Sequence, residues 1–386
     1  MKAVLRREMR RIATRRLEPL LLAVLPALAL ALTWAIFSAG LPRDLPVAVV
    51  DRDHSRLSRQ LARMIDATPT VRVSERPADP KAAEELILAG RVYAYVLLPE
   101  GLERSVKRGQ AEPVVAYTNA QLLVPASLVR RDLLSATSTL SAGIKRRRLR
   151  AAGETEASSR ARFEPVRADI HALFNPQLNY VSYIFVALFP ALLHIFVLLA
   201  AVNSVGSELR EGTAGEWLET AGGSVPRALA GKLLPSTVAF LAVAGAAMGV
   251  LFGLAGVPTR GSLALLLLGT LLFVLAYQAI GVLIVALSAN LRFATSVAAF
   301  LASPAFAYTG ITFPTMGMPA FARFWGALLP LTHYLKLLVD QSMKGAPGSV
   351  SASSLLALLA FVFVVPLLAW PRLRRILRDE RFWGRR

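Results

Sequence analysis

The chain has 386 residues, 55% of them hydrophobic, a formal net charge of +19 and no cysteine. So apolar a composition excludes an ordinary soluble protein and points to a membrane protein, and the missing thiols exclude a disulfide framework, a thiolate nucleophile and zinc–thiolate chemistry. Four histidines, at 54, 171, 194 and 333, are scattered without metal-ligand spacing, so no metal site is expected.

Residues 1–18 carry seven Lys and Arg, with Val4, Leu5, Ile12 and Leu17 interleaved. They predict an amphipathic helix at the cytoplasmic interface, serving either as a positive-inside anchor or as a contact helix for a cytoplasmic partner. Residues 19–42 carry no charge and predict the first transmembrane helix. The run is longer than a signal-peptide core, and FSAGLP lacks a small-x-small cleavage site, so a retained anchor is favoured.

Residues 43–171 follow, carrying 22 basic and 16 acidic side chains. LPVAVVD (45–51), VRVS (71–74), VYAYVLLP (92–99) and PVVAYTNA predict strands, and SRLSRQLARMIDA, DPKAAEELILAG and GLERSVKRGQ predict intervening helices. Such alternation argues for a small extracytoplasmic α/β domain. A long helix from Gln121 to about Arg150 ends in KRRRLR, and AAGETEASSRARFEP reads as a linker. Outside the cytoplasm that basic cluster favours lipid phosphate or plain solvation over nucleic acid, which is not expected as a partner.

Five further uncharged windows, Ala172–Ser207 (interrupted only by His194), Leu233–Thr259, Gly261–Leu291, Phe293–Ala322 and Gly345–Pro371, predict five more spans within residues 172–371. The fold class is therefore an α-helical polytopic membrane protein with six transmembrane helices, one plus five, and an inserted α/β domain. The basic tail, 372–386, matches the basic opening, so both termini are placed in the cytoplasm. The same count puts residues 204–232 inside. Gly231-Lys232 suggests a nucleotide-binding loop, but Pro226 and Leu233 stand where that motif needs Gly and Ser or Thr. No hydrolytic constellation is present, so enzymatic activity in this chain is not expected.

SELREGTAGEWLETAGGSVPRALAGKLLP (207–235) resembles the cytoplasmic signature of type 2 ABC exporter permeases. LPVAVVDRDHSRLSRQLARMIDATP, FNPQLNY and YTGITFPTMGMPAFARFWGALLPLTHYLKLL resemble segments of the subgroup with a large extracytoplasmic domain between the first two spans. AGGSVP departs from that family's more usual Thr-Pro turn. The resemblance implies a permease subunit in the bacterial inner membrane, paired with a second copy or paralogue. It implies ABC ATPase subunits on separate chains, which hold the ATP and Mg, so this chain needs no cofactor.

The resemblance also places ATPase coupling on Glu208, Arg210, Glu211, Gly212, Thr213, Glu216, Gly231 and Lys232. A short helix there can seat in an ATPase groove, its charges fixing register and Trp217 with Leu218 supplying an apolar anchor. Gly212 and Gly215 permit a sharp turn or a close approach. The plainer reading is a solvated loop with an interfacial Trp. Asn175 and Pro176 open the second span, and His194 either faces a pathway or caps a carbonyl. Phe313, Pro314, Met316, Met318 and Pro319 form either a re-entrant outer gate or an ordinary loop. Pro190, Pro235, Pro304 and Pro366 kink or end spans, and Tyr277, Gln278 and Asn290 join helices. The expected function is export of an amphiphilic drug-like or lipid-like cargo, with a periplasmic adaptor as a further partner and bilayer lipid alongside. A non-transporting receptor or scaffold is the alternative, and an intramembrane enzyme the third class.

Overall fold

The computed structural model describes residues 1–15, 17–151, 173–175 and 178–384. The expected linker from Ala151 onward, His171 and Pro176 thus lie wholly or almost wholly outside the described residues. Two units are formed, Met1–Ser38 with Tyr180–Arg386, and Ala39–Asn179.

The first unit opens with α1 (Lys2–Thr14) and α2 (Leu17–Phe37), the latter long and apolar enough to cross a membrane. Three residues of α1 turn inward, Val4, Glu8 and the partly buried Arg11. Their spacing is one helical face, so that face is charged as well as apolar.

The second unit contains β1 (Leu45–Asp51), α3 (Arg56–Asp66), β2 (Val71–Glu75), α4 (Pro80–Leu88), β3 (Ala94–Leu98), α5 (Leu102–Arg108), β4 (Val115–Thr118) and α6 (Leu123–Ala151). The sheet order is β2-β1-β3-β4, with β1 parallel to both neighbours and β4 antiparallel to β3. Central β1 is covered on both faces. Val47 and Val49 pack with Leu61, Ile65, Leu128 and Val129, while Ala48 and Val50 pack with Ala83 and Tyr95. That burial explains the unbroken apolar run. Ser55 caps α3 through a reciprocal box with Ser58, and Asp79 caps α4. Asp132 of α6 is buried and accepts from the Thr70 amide (3.0 Å) and hydroxyl (2.5 Å).

The first unit resumes with α7 (Val181–Glu211), α8 (Ala214–Thr220), α9 (Val225–Leu254), α10 (Leu263–Ser288), α11 (Leu291–Ala302), α12 (Ala320–Ala327), α13 (Pro330–Val339) and α14 (Gly348–Arg378). Among the described residues five helices, α2, α7, α9, α10 and α14, are long and apolar enough to span a bilayer. The expected sixth, Phe293–Ala322, is not a continuous helix. α11 ends at Ala302, just before Pro304, and at 1.5 Å per residue reaches only about 18 Å, well short of a 30 Å core. Pro190, Pro235 and Pro366, by contrast, sit inside continuous helices.

Beyond α11 the chain forms a hairpin. The Ile311 carbonyl accepts from Tyr183 at the start of α7 (3.4 Å). The chain then turns back through α12, and the Leu331 amide donates to the Tyr277 hydroxyl (3.3 Å), roughly 20 Å along α10 from its start. α13 climbs again until the Gln341 and Ser342 carbonyls accept from Gly261 and Arg260, beside the start of α10. The returning part of the hairpin is buried at Leu331, Tyr334 and Leu335, whereas residues 312–317 at its tip are exposed.

Close contacts tie the helices together. A Cβ on Gly281 of α10 would lie 2.7 Å from the Ala201 Cβ and 3.2 Å from the Leu198 carbonyl of α7. Neither neighbour is the end of a flexible side chain, so Gly281→Val is expected to cost about 1–3 kcal/mol. A lowered thermal midpoint of the detergent-purified chain checks this, and an unchanged midpoint would show that the two helices can separate freely. Gln278 bridges to α9, receiving from Thr237 (3.0 Å) and donating to Ser236 (3.1 Å). Asn290 instead caps α11 through the Phe293 amide (3.0 Å).

Candidate functional site

The signature segment lies at one end of the helical unit, together with both termini. α7 ends at Gly212, whose φ of 70° reverses the chain into α8, and Gly222 (φ 65°) with Gly223 (φ 73°) turns it into α9. The Gly384 amide donates to the Leu209 carbonyl (2.8 Å). A Cβ on Gly215 would meet the Trp383 ring at 2.7 Å, so the C-terminal residues lie directly on α8. On the other side α1 packs against α9, where a Cβ on Gly231 would stand 2.9 Å from Val4.

Between these elements lies a buried charge network. Lys232 is inaccessible, and its Nζ donates to Glu8 and to Glu208, both at 2.7 Å. Arg7 forks onto the two Glu208 oxygens at 2.7 and 3.0 Å. Arg11 donates to Glu208 (3.2 Å), to Glu18 (2.9 Å), to the Ser204 carbonyl (3.2 Å) and to the Ser207 hydroxyl. Thr213 donates to Glu208 at 2.5 Å, and Asn203 donates to Glu18 at 3.0 Å. Three cations, Arg7, Arg11 and Lys232, thus face three carboxylates, Glu8, Glu18 and Glu208. This balance lets so many charges remain buried.

Farther out, Arg15 forks onto Glu211 at 2.5 Å, and Arg7 Nε lies 3.7 Å from Glu216. The bond to Glu208 raises the Arg7 pKa despite burial, and the bond to Glu211 does the same for Arg15. Both guanidiniums therefore stay charged throughout the neutral range, and the stability their pairing adds is lost only as pH rises above the ordinary arginine range.

The geometry corrects one expectation. Trp217 is fully buried and Leu218 is 8% exposed, so neither offers an apolar anchor to a partner. Both face the protein's own core, and Lys232 Nζ sits 5.2 Å from the Trp217 ring centroid. An amphipathic two-turn helix lying on a bundle buries its aromatic and presents its charges. The outward face accordingly carries Arg210, Glu211, Glu216 and Glu219.

The structure thus gathers Glu208, Arg210, Glu211, Gly212, Thr213, Glu216, Trp217, Gly231 and Lys232, the residues expected to couple to an ATPase, at one end of the bundle. The remaining candidates lie elsewhere. His194 is buried in α7, 4.8 Å from the Tyr277 ring, with both ring nitrogens lacking a hydrogen-bond partner among the described residues. Asn175 exchanges bonds with its neighbour Asn179 (2.9 and 3.1 Å) within the Ala39–Asn179 unit and closes a local turn. Phe313 and Met316 are exposed, Met318 is buried, and Pro319 precedes α12. The partners missed by sequence reasoning are Arg7, Glu8, Arg11 and Glu18. Their signal was Glu8, an acid set among the basic residues of the opening, on the same helical face as Val4 and Arg11.

The site thus sits on a bundle of membrane-length helices, at a charged helical elbow between the second and third of them. The chain belongs to the ABC-2 family transporter proteins, whose family model matches residues 20–370. No curated protein matches it.

Proposed function

We propose that the chain is the permease subunit of an ATP-driven exporter, working with a second permease copy or paralogue and with separate ATPase chains that hold ATP and Mg. Its setting is a bacterial inner membrane, with both termini and α8 in the cytoplasm and residues 43–171 on the opposite side. The cargo is an amphiphile taken from the cytoplasm or the inner leaflet, and a periplasmic adaptor is a further partner of the outer domain. The observation that carries this reading is α8, held from behind by the Glu208–Lys232 network and showing Glu216 and Glu219 outward. An element so braced transmits force rather than absorbing it. When the ATPase closes, α8 moves as one body with α7 and α9, and access to the pathway alternates.

The partner surface for such a face is basic. Affinity purification of the full chain from native membranes is therefore expected to recover an ATPase with the wild type. Glu216→Lys combined with Glu219→Lys is expected to lose it while keeping the thermal midpoint, since both side chains are exposed. Failure to recover an ATPase under several mild extraction conditions favours the receptor or scaffold reading. Equal recovery by the variant moves the coupling surface away from α8.

A further inference from the structure

The re-entrant hairpin encloses a second polar site, far from α8. A groove of about 580 Å³ runs between α12, α13, the start of α14 and the 308–315 loop, within the size range of small-ligand sites. Arg323 and Lys336 line it, both exposed and both without a charged or hydrogen-bonding partner among the described residues. Lys336 lies on α13 between Leu331, deep beside Tyr277, and Gln341, at the end beside Gly261. An unpaired cation at that depth is expensive unless something answers it.

Two further features point to a ligand. The Ser354 hydroxyl is 1% exposed, lines the groove and has no hydrogen-bond partner among the described residues. The Thr332 hydroxyl, on the same wall, is likewise orphaned. Buried hydroxyls are rarely left unsatisfied without a function. The lining is one-signed, for it holds Lys344 and His333 but no carboxylate. The nearby carboxylate, Asp340, is outside the lining; its Oδ1 is engaged by Lys344 at 2.8 Å, and its Oδ2 has no hydrogen-bond partner among the described residues.

We infer that this groove binds the compact oxyanion headgroup, a phosphate or its equivalent, of an amphiphile. Arg323 would fork onto the anion, Lys336 would add a point charge, and the Ser354 and Thr332 hydroxyls would donate to it. The apolar tail would lie along the exposed faces of the hairpin, where Phe321 and Phe324 project. The anion site stands on these residues alone. That its occupant is cargo rests on the exporter reading.

The test uses the full chain with its co-purified ATPase in phosphatidylcholine nanodiscs. The probes are fluorescent short-chain phosphatidic acid and phosphatidylcholine with identical tails. The wild type is expected to bind the phosphate-headed probe at least about tenfold more tightly. Arg323→Gln with Lys336→Gln is expected to abolish the preference, Lys336→Arg to keep it, and Ser354→Ala to weaken it by a few fold. Equal affinity of the wild type for both probes overturns the inference without any substitution, as does an undiminished preference in the double variant.

Proteoliposomes separate the sources of the anion. ATP-driven movement of the phosphate-headed probe identifies cargo, and preferential binding without movement identifies a resident lipid headgroup. Both outcomes support the site. Preference without any ATPase or movement leaves the site standing and removes the exporter, whereas ATP-driven movement with binding unaltered in the variants does the reverse.

Discussion

Lys232→Met is expected to destabilise the chain by about 3–5 kcal/mol, the usual penalty for removing one member of a buried ion pair. The methionine fills much of the same volume, so the loss is electrostatic. Glu208 keeps Arg7, Arg11 and Thr213. Glu8 is left with Arg11 at 3.9 Å and the Ser204 hydroxyl at 3.3 Å, and it carries most of the uncompensated charge. Neutralising it as well, in Glu8→Gln with Lys232→Met, is therefore expected to recover most of the thermal midpoint of the detergent-purified chain. A double variant no better than the single would show that the cost lies in the lost contact with Trp217 rather than in charge balance. Lys232→Arg is no substitute, since the larger planar fork must enter a closed site shaped for an ammonium.

How much of this was legible beforehand depended on periodicity. Each strand and helix of the inserted unit announced itself through short apolar runs bounded by Gly, Pro, Asp and Ser, and β1 and α6 fall almost where their residues suggested. The long uncharged windows likewise gave five membrane-length helices. The window Phe293–Ala322 misled because hydropathy reports the solvent and not the path, and Pro304, Gly310, Pro314 and Pro319 break the chain without adding charge. At the candidate site Glu208 and Lys232 stood out as charges beside spans. Their counterparts Arg7, Arg11 and Glu8 are about two hundred residues away in sequence, and no local pattern pairs groups across such a distance. Trp217 read as an anchor for a partner because its amphipathic face was visible while its neighbour was not. The groove signalled itself even less, since Lys336 and Arg323 resemble ordinary flanking charges until the hairpin brings them to the lining of one groove.

Arg7→Glu is expected to cut ATPase recovery by at least about tenfold, a change of 1.4 kcal/mol or more, while the chain remains in the membrane. The new carboxylate would sit where the guanidinium now meets Glu208 at 2.7 Å and Glu216 at 3.7 Å, and like charges there push α1 away from the back of α8. Exchanging the partners, Arg7→Glu with Glu208→Arg, is not expected to restore recovery. Glu208 also accepts from Arg11, Lys232 and Thr213, so an arginine in its place meets two buried cations. The half-exposed pair Arg15–Glu211 is the control. Arg15→Glu is expected to cost no more than about 1 kcal/mol, and adding Glu211→Arg to restore it, because among the described residues Glu211 pairs besides only with the exposed Arg210. If Arg7→Glu retains the ATPase like the wild type, α1 is a membrane anchor and α8 keeps its position without it. If the exchange at Arg7 and Glu208 rescues as fully as that at Arg15 and Glu211, the six charges act as separate pairs and the bracing of α8 is local.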